Sequence, residues 1–203
     1  MNESYYKLGL KELESIKEPK RLLLHSCCAP CSSHVISYLT KYFDITILYY
    51  NPNISPKKEY DKRKKEQIRL IKEIEKTNKI DIIDCDYDND LYESSIKGYE
   101  SCPERGDRCT ICFNLRLDKT AKVASENNYD YFCTTLTVSP YKNSNLINEI
   151  GLLKQKKYNI KWLYSDFKKE NGYKHSIELS HKYGLYRQDY CGCKYSVREK
   201  KID

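Results

Sequence analysis

Glycine is scarce in this chain, at seven of 203 residues, and none stands where an α/β protein would need it to cradle phosphate. The turn after the first predicted strand reads Ser26-Cys27-Cys28-Ala29-Pro30-Cys31-Ser32, without a glycine. Such a turn has no phosphate loop, so ATP binding there is disfavoured. Also missing is any run approaching the ~20 apolar residues that span a bilayer. Residues Met1 to Lys20 are polar and of mixed charge, with no apolar stretch before a cleavage site. These absences argue against a membrane protein or a secreted one and predict a soluble, cytoplasmic chain. Internal repeats and low-complexity segments are absent too. Disorder is not predicted, because Leu22-Leu23-Leu24, Ile45-Thr46-Ile47-Leu48 and Ile80-Asp81-Ile82-Ile83 supply core strands.

Cysteine, by contrast, is abundant at ten residues, and eight of them fall in three tight groups. In a reducing compartment, clustered thiols serve metal binding or catalysis more often than a disulfide framework. Charge is the second excess: 36 basic against 29 acidic residues give a formal net of +7. The surplus concentrates in Lys57–Lys76 and Lys142–Lys161. Local basic excess suits a polyanionic partner, since each neutralised phosphate releases counterions. A solvated helix face explains it equally well.

Strand and helix signals alternate along the chain. Strands are predicted over 21–26, 44–50, 80–85 and 131–136, with a short fifth over 162–165. Helices are predicted over 32–42, 57–76, 113–127 and 145–156. In the second of these, Tyr60, Ile68, Ile71 and Ile74 face inward and the charges outward. The alternation pauses from Asp86 to Arg108, and from Asp166 the chain becomes rich in glycine and tyrosine. This order predicts an α/β fold, a parallel sheet with helices on both faces, as one domain over 21–203 behind a polar extension over 1–20. Ligands of such sheets bind outside the carboxyl ends of the strands. Cys27, Cys28 and Cys31 lie there, where helix N-terminal amides favour a thiolate.

Each cysteine group suggests its own chemistry. Cys27, Cys28 and Cys31 bring three thiols into one turn, which Pro30 stiffens; inert core cysteines are the bland alternative. Cys102 precedes Cys109-Thr110-Ile111-Cys112, whose C-x-x-C spacing presents two sulfurs to one metal centre. Two of these thiols with two from the first turn complete four ligands, for an iron–sulfur cluster or equally for structural zinc. Arg105 and Arg108 beside them offset cluster charge or meet an anionic substrate. Cys191-Gly192-Cys193 places two thiols too close for a relaxed bridge, which suits passing two electrons; two further metal ligands are the alternative. Cys85 and Cys133, inside apolar runs, are read as core. His25, His34, His175 and His181 are dispersed and receive no role.

Taken together, the motifs resemble the epoxyqueuosine reductases of the QueH type. The resemblance runs through Leu24-His25-Ser26-Cys27-Cys28-Ala29-Pro30-Cys31, Tyr50-Asn51-Pro52-Asn53-Ile54, and Glu59-Tyr60 with Arg63. It continues in Cys102-Pro103-Glu104-Arg105-Gly106, Arg108-Cys109, Cys112-Phe113, Thr134-Thr135-Leu136 and Ser139-Pro140-Tyr141-Lys142. Ser176-Ile177-Glu178-Leu179-Ser180, Tyr183-Gly184-Leu185-Tyr186-Arg187-Gln188 and Tyr190-Cys191-Gly192-Cys193-Lys194-Tyr195-Ser196 complete it, and residues 1–20 lie outside. It implies a nucleotide-hydrolase-like, Rossmann-type sheet and reduction of the epoxide of epoxyqueuosine in tRNA to queuosine, the last step of that biosynthesis. By the same resemblance Cys27, Cys28, Cys109 and Cys112 ligate a 4Fe–4S cluster, and Cys191 with Cys193 forms a redox-active disulfide. A second iron is also implied. Some members of the family carry an aspartate where this chain has Cys31, so Cys31 and Cys102 are the candidates for that iron here. Partners implied are tRNA, with Tyr141 or Tyr186 to stack a base, and a low-potential electron donor. A sulfur-transferring tRNA enzyme and a zinc-bound RNA-binding module are the competing readings.

Overall fold

Why the chain makes one sheet is visible in its strands. Lys20–His25 (β1) is a leucine-rich run whose last four residues are buried, as expected of a strand covered on both faces. The other strands are Phe43–Leu48 (β2), Ile80–Ile83 (β3), Tyr131–Thr134 (β4) and Lys161–Trp162 (β5). The computed structural model describes residues 3–196 and joins these strands, all parallel, in the order β3-β2-β1-β4-β5. Register is fixed by pairs such as Leu24 with Ile47 on one side and Leu24 with Cys133 on the other.

Because the order reverses at β1, right-handed crossovers put their helices on opposite faces. Helices Ala29–Leu39 (α2) and Lys57–Glu73 (α3) cover one face. There Leu22 and Leu24 pack with Val35, Ile36, Leu39, Leu70 and Ile71. Asp107–Glu126 (α5) and Ser144–Tyr158 (α6) cover the other, where Leu23, Phe132 and Trp162 meet Leu117, Ala121, Ile147 and Ile150. Successive residues of β1 thus feed two cores, the period-two signature of a strand between layers. The predicted α/β parallel sheet with two helical faces is the fold observed.

Several elements differ from the sequence-based expectation. Helix α2 begins three residues earlier than predicted, because Pro30 fits the first turn, where its missing N–H costs nothing. Likewise α5 starts at Asp107 rather than Phe113, which makes Cys109 and Cys112 helical. A short helix, Asn89–Ser95 (α4), occupies the predicted pause, and Gly172–Lys182 (α7) lies in the glycine- and tyrosine-rich segment. Polar residues of α3 do not all point outward: the charged Arg63 and the neutral Gln67 are buried on its inner side. The predicted polar extension contains a helix, Tyr5–Ser15 (α1), docked against β4 and β5. Glu12 of α1 accepts from Tyr131 Oη at 2.5 Å and from Lys161 Nζ at 2.6 Å.

Helix α7 packs on α2 and so links the chain after it to the first cysteine turn. Their contact includes His34 and His175, with Nδ1 atoms 3.0 Å apart. Burial, aided by His175, pushes the His34 imidazole down to about 4. An unfolded histidine takes up a proton below about 6.5, whereas His34 in the fold resists until about 4. The unfolded state therefore binds more protons in that window, and stability falls as pH drops through it. Urea melts should show a midpoint that declines from pH 6.5 to pH 4, and His34→Gln should flatten that decline. An identical pH dependence in the variant would contradict the role given to His34.

Candidate metal and redox site

At the carboxyl end of β1 the chain turns through Ser26 and Cys27 into α2, with Cys28 as its N-cap in extended conformation. Cys27 is fixed by its neighbour across the sheet: its amide donates to Thr135 Oγ1 at 3.2 Å, and that hydroxyl donates to Cys27 Sγ at 3.4 Å. Beneath the turn, Ser26 Oγ donates to Gln67 Oε1 at 2.7 Å and Asn51 Nδ2 donates to the Ser26 carbonyl at 2.8 Å. The sulfurs of Cys27 and Cys28 are 3.8 Å apart, and those of Cys27, Cys28 and Cys31 all lie within 4.8 Å of one another. Three thiols so close cannot ionise independently. Hydrogen bonds from Cys28 and Cys31 hold the Cys27 thiol well below its ordinary range, with Lys142 and Arg116 adding to the effect. The bond with Cys27 pushes Cys28 up to about 12 and also raises Cys31. Such a group is suited to a metal ion or cluster, which accepts several thiolates at once.

Cys109 and Cys112 occupy the first turns of α5, three residues apart and therefore on one face. Cys109 Sγ accepts from the Arg105 amide at 3.3 Å, a contact made by a residue held at φ 76°. Burial raises both thiols, Cys112 to about 12 against the opposing charge of Arg116. Arg116, one turn further along α5, reaches Cys112 Sγ at 3.7 Å.

Cys191-Gly192-Cys193 is clamped by its backbone. Arg63 Nη1 donates to the Cys191 carbonyl at 3.2 Å, the Ser55 amide to that of Gly192 at 2.9 Å, and Ser196 Oγ to that of Cys193 at 2.8 Å. Gly192 sits at φ 109°, and a Cβ there would lie 2.9 Å from both Arg63 Nη1 and Ile54 Cγ1. Only glycine fits that turn. Its two thiols face different surroundings. Cys193 is buried with its sulfur 3.1 Å from Tyr92 Oη, whereas Cys191 lines an open cleft.

That cleft, of about 270 Å³, is walled by Cys27, Cys28, Cys31 and Cys191, with Arg116 and Lys142 between them. A narrow void of about 30 Å³ adjoins it and is lined by Cys109, Cys112, Cys191 and Cys193. Cys191 and Lys142 belong to both walls. The fold therefore gathers seven of the ten cysteines into one region, as two sulfur groups bridged by Cys191 and Arg116. Cys102 is not among the lining residues of either space; its carbonyl takes a bond from Arg108. Cys133 is buried in β4, as predicted, while Cys85 lies past the end of β3 and is half-buried.

Four side chains depart from the sequence reading. His25, given no role, is buried in the site, with Nδ1 2.8 Å from Thr134 Oγ1 and Nε2 3.2 Å from Arg116 Nε. Arg116 itself went unnoticed; its spacing of four from Cys112 was the available signal. Lys142, expected on a phosphate track, faces Cys27, Cys31 and Cys191 instead. Arg108 is buried and donates to the carbonyls of Glu100 and Tyr195, which removes it from any anionic substrate. No helix among the described residues is long and apolar enough to cross a membrane.

The chain is similar over most of its length to known proteins. The family described as "Epoxyqueuosine reductase QueH" matches residues 22–199. Curated proteins bearing that name include one from Streptococcus pyogenes, 46% identical over 95% of this chain and 75% of its own length. One from Staphylococcus epidermidis is 44% identical over 96% of this chain and 83% of its own. A more distant one, from Thermotoga maritima, is 32% identical over 89% of this chain and 92% of its own.

The asymmetry of the terminal pair is testable without any cofactor. In the metal-free native protein, alkylation followed by mass spectrometry should label Cys191 well before Cys193. Gly192→Ala should narrow that difference by displacing the clamped turn. Equal labelling rates in the unmodified protein would contradict the placement of Cys193 behind Tyr92.

Proposed function

The chain belongs to the epoxyqueuosine reductase QueH family, and on that footing we propose that it is an oxidoreductase reducing the epoxide of epoxyqueuosine in tRNA to the alkene of queuosine. The observation that carries the reading is the meeting of Cys27, Cys28, Cys31 and Cys191 in one cleft beside Cys109 and Cys112. Removing an epoxide oxygen as water takes two electrons and two protons. A dithiol closing to a disulfide releases the same number of each, so Cys191 and Cys193 balance the reaction as a pair that an external donor must re-reduce.

Cys27, Cys28, Cys109 and Cys112 would hold a 4Fe–4S cluster. The fit is supported by an all-sulfur donor set of free thiols and by two cations facing it, the buried Arg116 and the half-buried Lys142. For a second iron, Cys31 is better placed than Cys102, because it shares the cleft with Cys27 and Cys28. When bound, these groups supply low-potential electrons and a Lewis acid. The protein's own residues do the rest. Lys142 remains an ammonium, because Cys191, Cys27 and Cys31 raise it despite burial, and it offers N–H donors inside the cleft. Tyr141, 48% exposed at the cleft wall with Arg105 5.7 Å from its ring, offers a face for a splayed base. Tyr186 is less available, since Lys62 already lies 3.3 Å above its ring.

The phosphate tracks are shorter than the charge count suggested. Lys57, Lys64 and Arg69 pair with acids near or on α3, and Lys154 and Lys157 share Asp118. Lys58, Lys62 and Lys65 on α3 are exposed and remain the better candidates for phosphate. Affinity for tRNA should fall steeply between 50 and 200 mM salt, the range over which phosphate contacts weaken; affinity that ignores salt would remove the phosphate role.

The direct test is anaerobic purification followed by reaction with epoxyqueuosine-containing tRNA and a low-potential chemical reductant. Expected are iron, acid-labile sulfide and formation of queuosine by mass spectrometry, without ATP. Cys27→Ser and Cys112→Ser should lose the chromophore and turnover, while Cys133→Ala should keep both if it folds. A colourless zinc protein, or a loaded protein that leaves the epoxide intact, would overturn the proposal.

A further inference from the structure

Arg116 is 1% exposed, and no carboxylate pairs with it among the described residues. Its three hydrogen-bonding groups go to neutral or thiol partners. Nη2 donates to Asn51 Oδ1 at 2.7 Å, Nε to His25 Nε2 at 3.2 Å, and Nη1 approaches Cys112 Sγ at 3.7 Å. Buried arginines elsewhere in the chain are compensated differently: Arg63 has Glu59 at 2.7 Å, and Arg108 is spent on main-chain carbonyls. Burying a guanidinium without an anion is strongly unfavourable, so such a residue points to a negative charge that belongs beside it. The groups able to carry that charge are the sulfurs it faces, those of Cys112, Cys27 and Cys191.

We propose that Arg116 is the resident counter-ion of the metal centre, and that its charge sets the centre's reduction potential. The inference rests on the reading that Cys27, Cys28, Cys109 and Cys112 hold the cluster. Four thiolates outweigh the positive charge of the core they bind, so the centre is net anionic and becomes more so with each electron taken up. A fixed cation in a dry site therefore favours the reduced state. Arg116 is held for this task from both ends: His25 and Asn51 anchor two of its nitrogens, and its position one turn after Cys112 keeps the third on the sulfur. It acts through the sulfur of Cys112 that it faces, and is a positioning residue.

The experiment is a potentiometric titration of the anaerobically loaded protein followed by electron paramagnetic resonance, with iron and sulfide measured on each sample. Arg116→Gln should move the midpoint to more negative potential, changing the reduced-to-oxidised ratio at fixed potential by at least about tenfold, which is 59 mV for one electron. Arg116→Lys, which keeps the charge, should stay close to the unmodified midpoint. Lys142→Met removes a second cation from the cleft side and should shift the midpoint in the same direction, which covers the case in which Arg116→Gln does not fold. If Arg116→Gln takes up no cluster but Arg116→Lys does, the charge requirement is upheld. An unchanged midpoint in fully loaded Arg116→Gln or Lys142→Met, or failure of Arg116→Lys to load alongside Arg116→Gln, would overturn the inference. An unmodified protein without iron and sulfide would instead overturn the functional reading beneath it.

Discussion

The reversal of strand order at β1 is the constraint on which the rest of this structure depends. Chain leaving β1 crosses toward β2, while chain arriving at β4 comes back past β1 to its other side. Helices on opposite faces diverge there and leave a crevice above the carboxyl ends of the two strands. In each crossover the helix begins at that same end, so α2 and α5 both aim their N-termini at the crevice. The first brings Cys28 and Cys31, the second Cys109 and Cys112. β4 contributes Thr134 and the turn after it Thr135, which hold His25 and Cys27. Where a nucleotide enzyme would place glycines against phosphate, this chain places a group of thiols able to hold a metal, and the positive ends of two helices favour thiolate as they would phosphate.

Electrostatics completes the site. Arg63 and Arg116 are withdrawn from solvent and Lys142 is partly so, in a chain rich in surface lysine, and each is turned toward a cysteine. Arg63 also ties α3 to the main chain of Cys191, so the same residue that meets the first cysteine turn fixes the terminal pair beside it. Covalent order in the chain is remote here: Cys27, Cys112 and Cys191 are separated by most of the sequence, and two buried arginines with the half-buried Lys142 bind their neighbourhoods together.

Much of this was readable from residue order alone. The five strands, the parallel sheet, the use of both faces and the burial of Cys133 in a strand follow from periodicity and spacing. What escaped detection had weak local signals. Helices α4 and α7 are short and polar, so their apolar period is faint, and tertiary contacts such as Tyr92 to Cys193 and His175 to His34 hold them. Arg63 and Gln67 looked like part of a solvated charged face, because periodicity cannot tell an inward arginine from an outward one. Lys142 and His25 are ordinary residues until the fold brings Cys191 and Arg116 to them. Cys102 shows the converse. Its nearness in sequence to Cys109 suggested a shared site, but the loop over 99–105, locked by Arg108, carries it elsewhere.

The central claim is that two sulfur groups on opposite sides of the sheet form one metal centre. Anomalous diffraction at the iron edge, from crystals of the anaerobically prepared protein, tests it most directly. The account predicts iron density bonded to Cys27 and Cys28 on one side and to Cys109 and Cys112 on the other. Metal confined to Cys27, Cys28 and Cys31, with Cys109 and Cys112 left as free thiols, would contradict it.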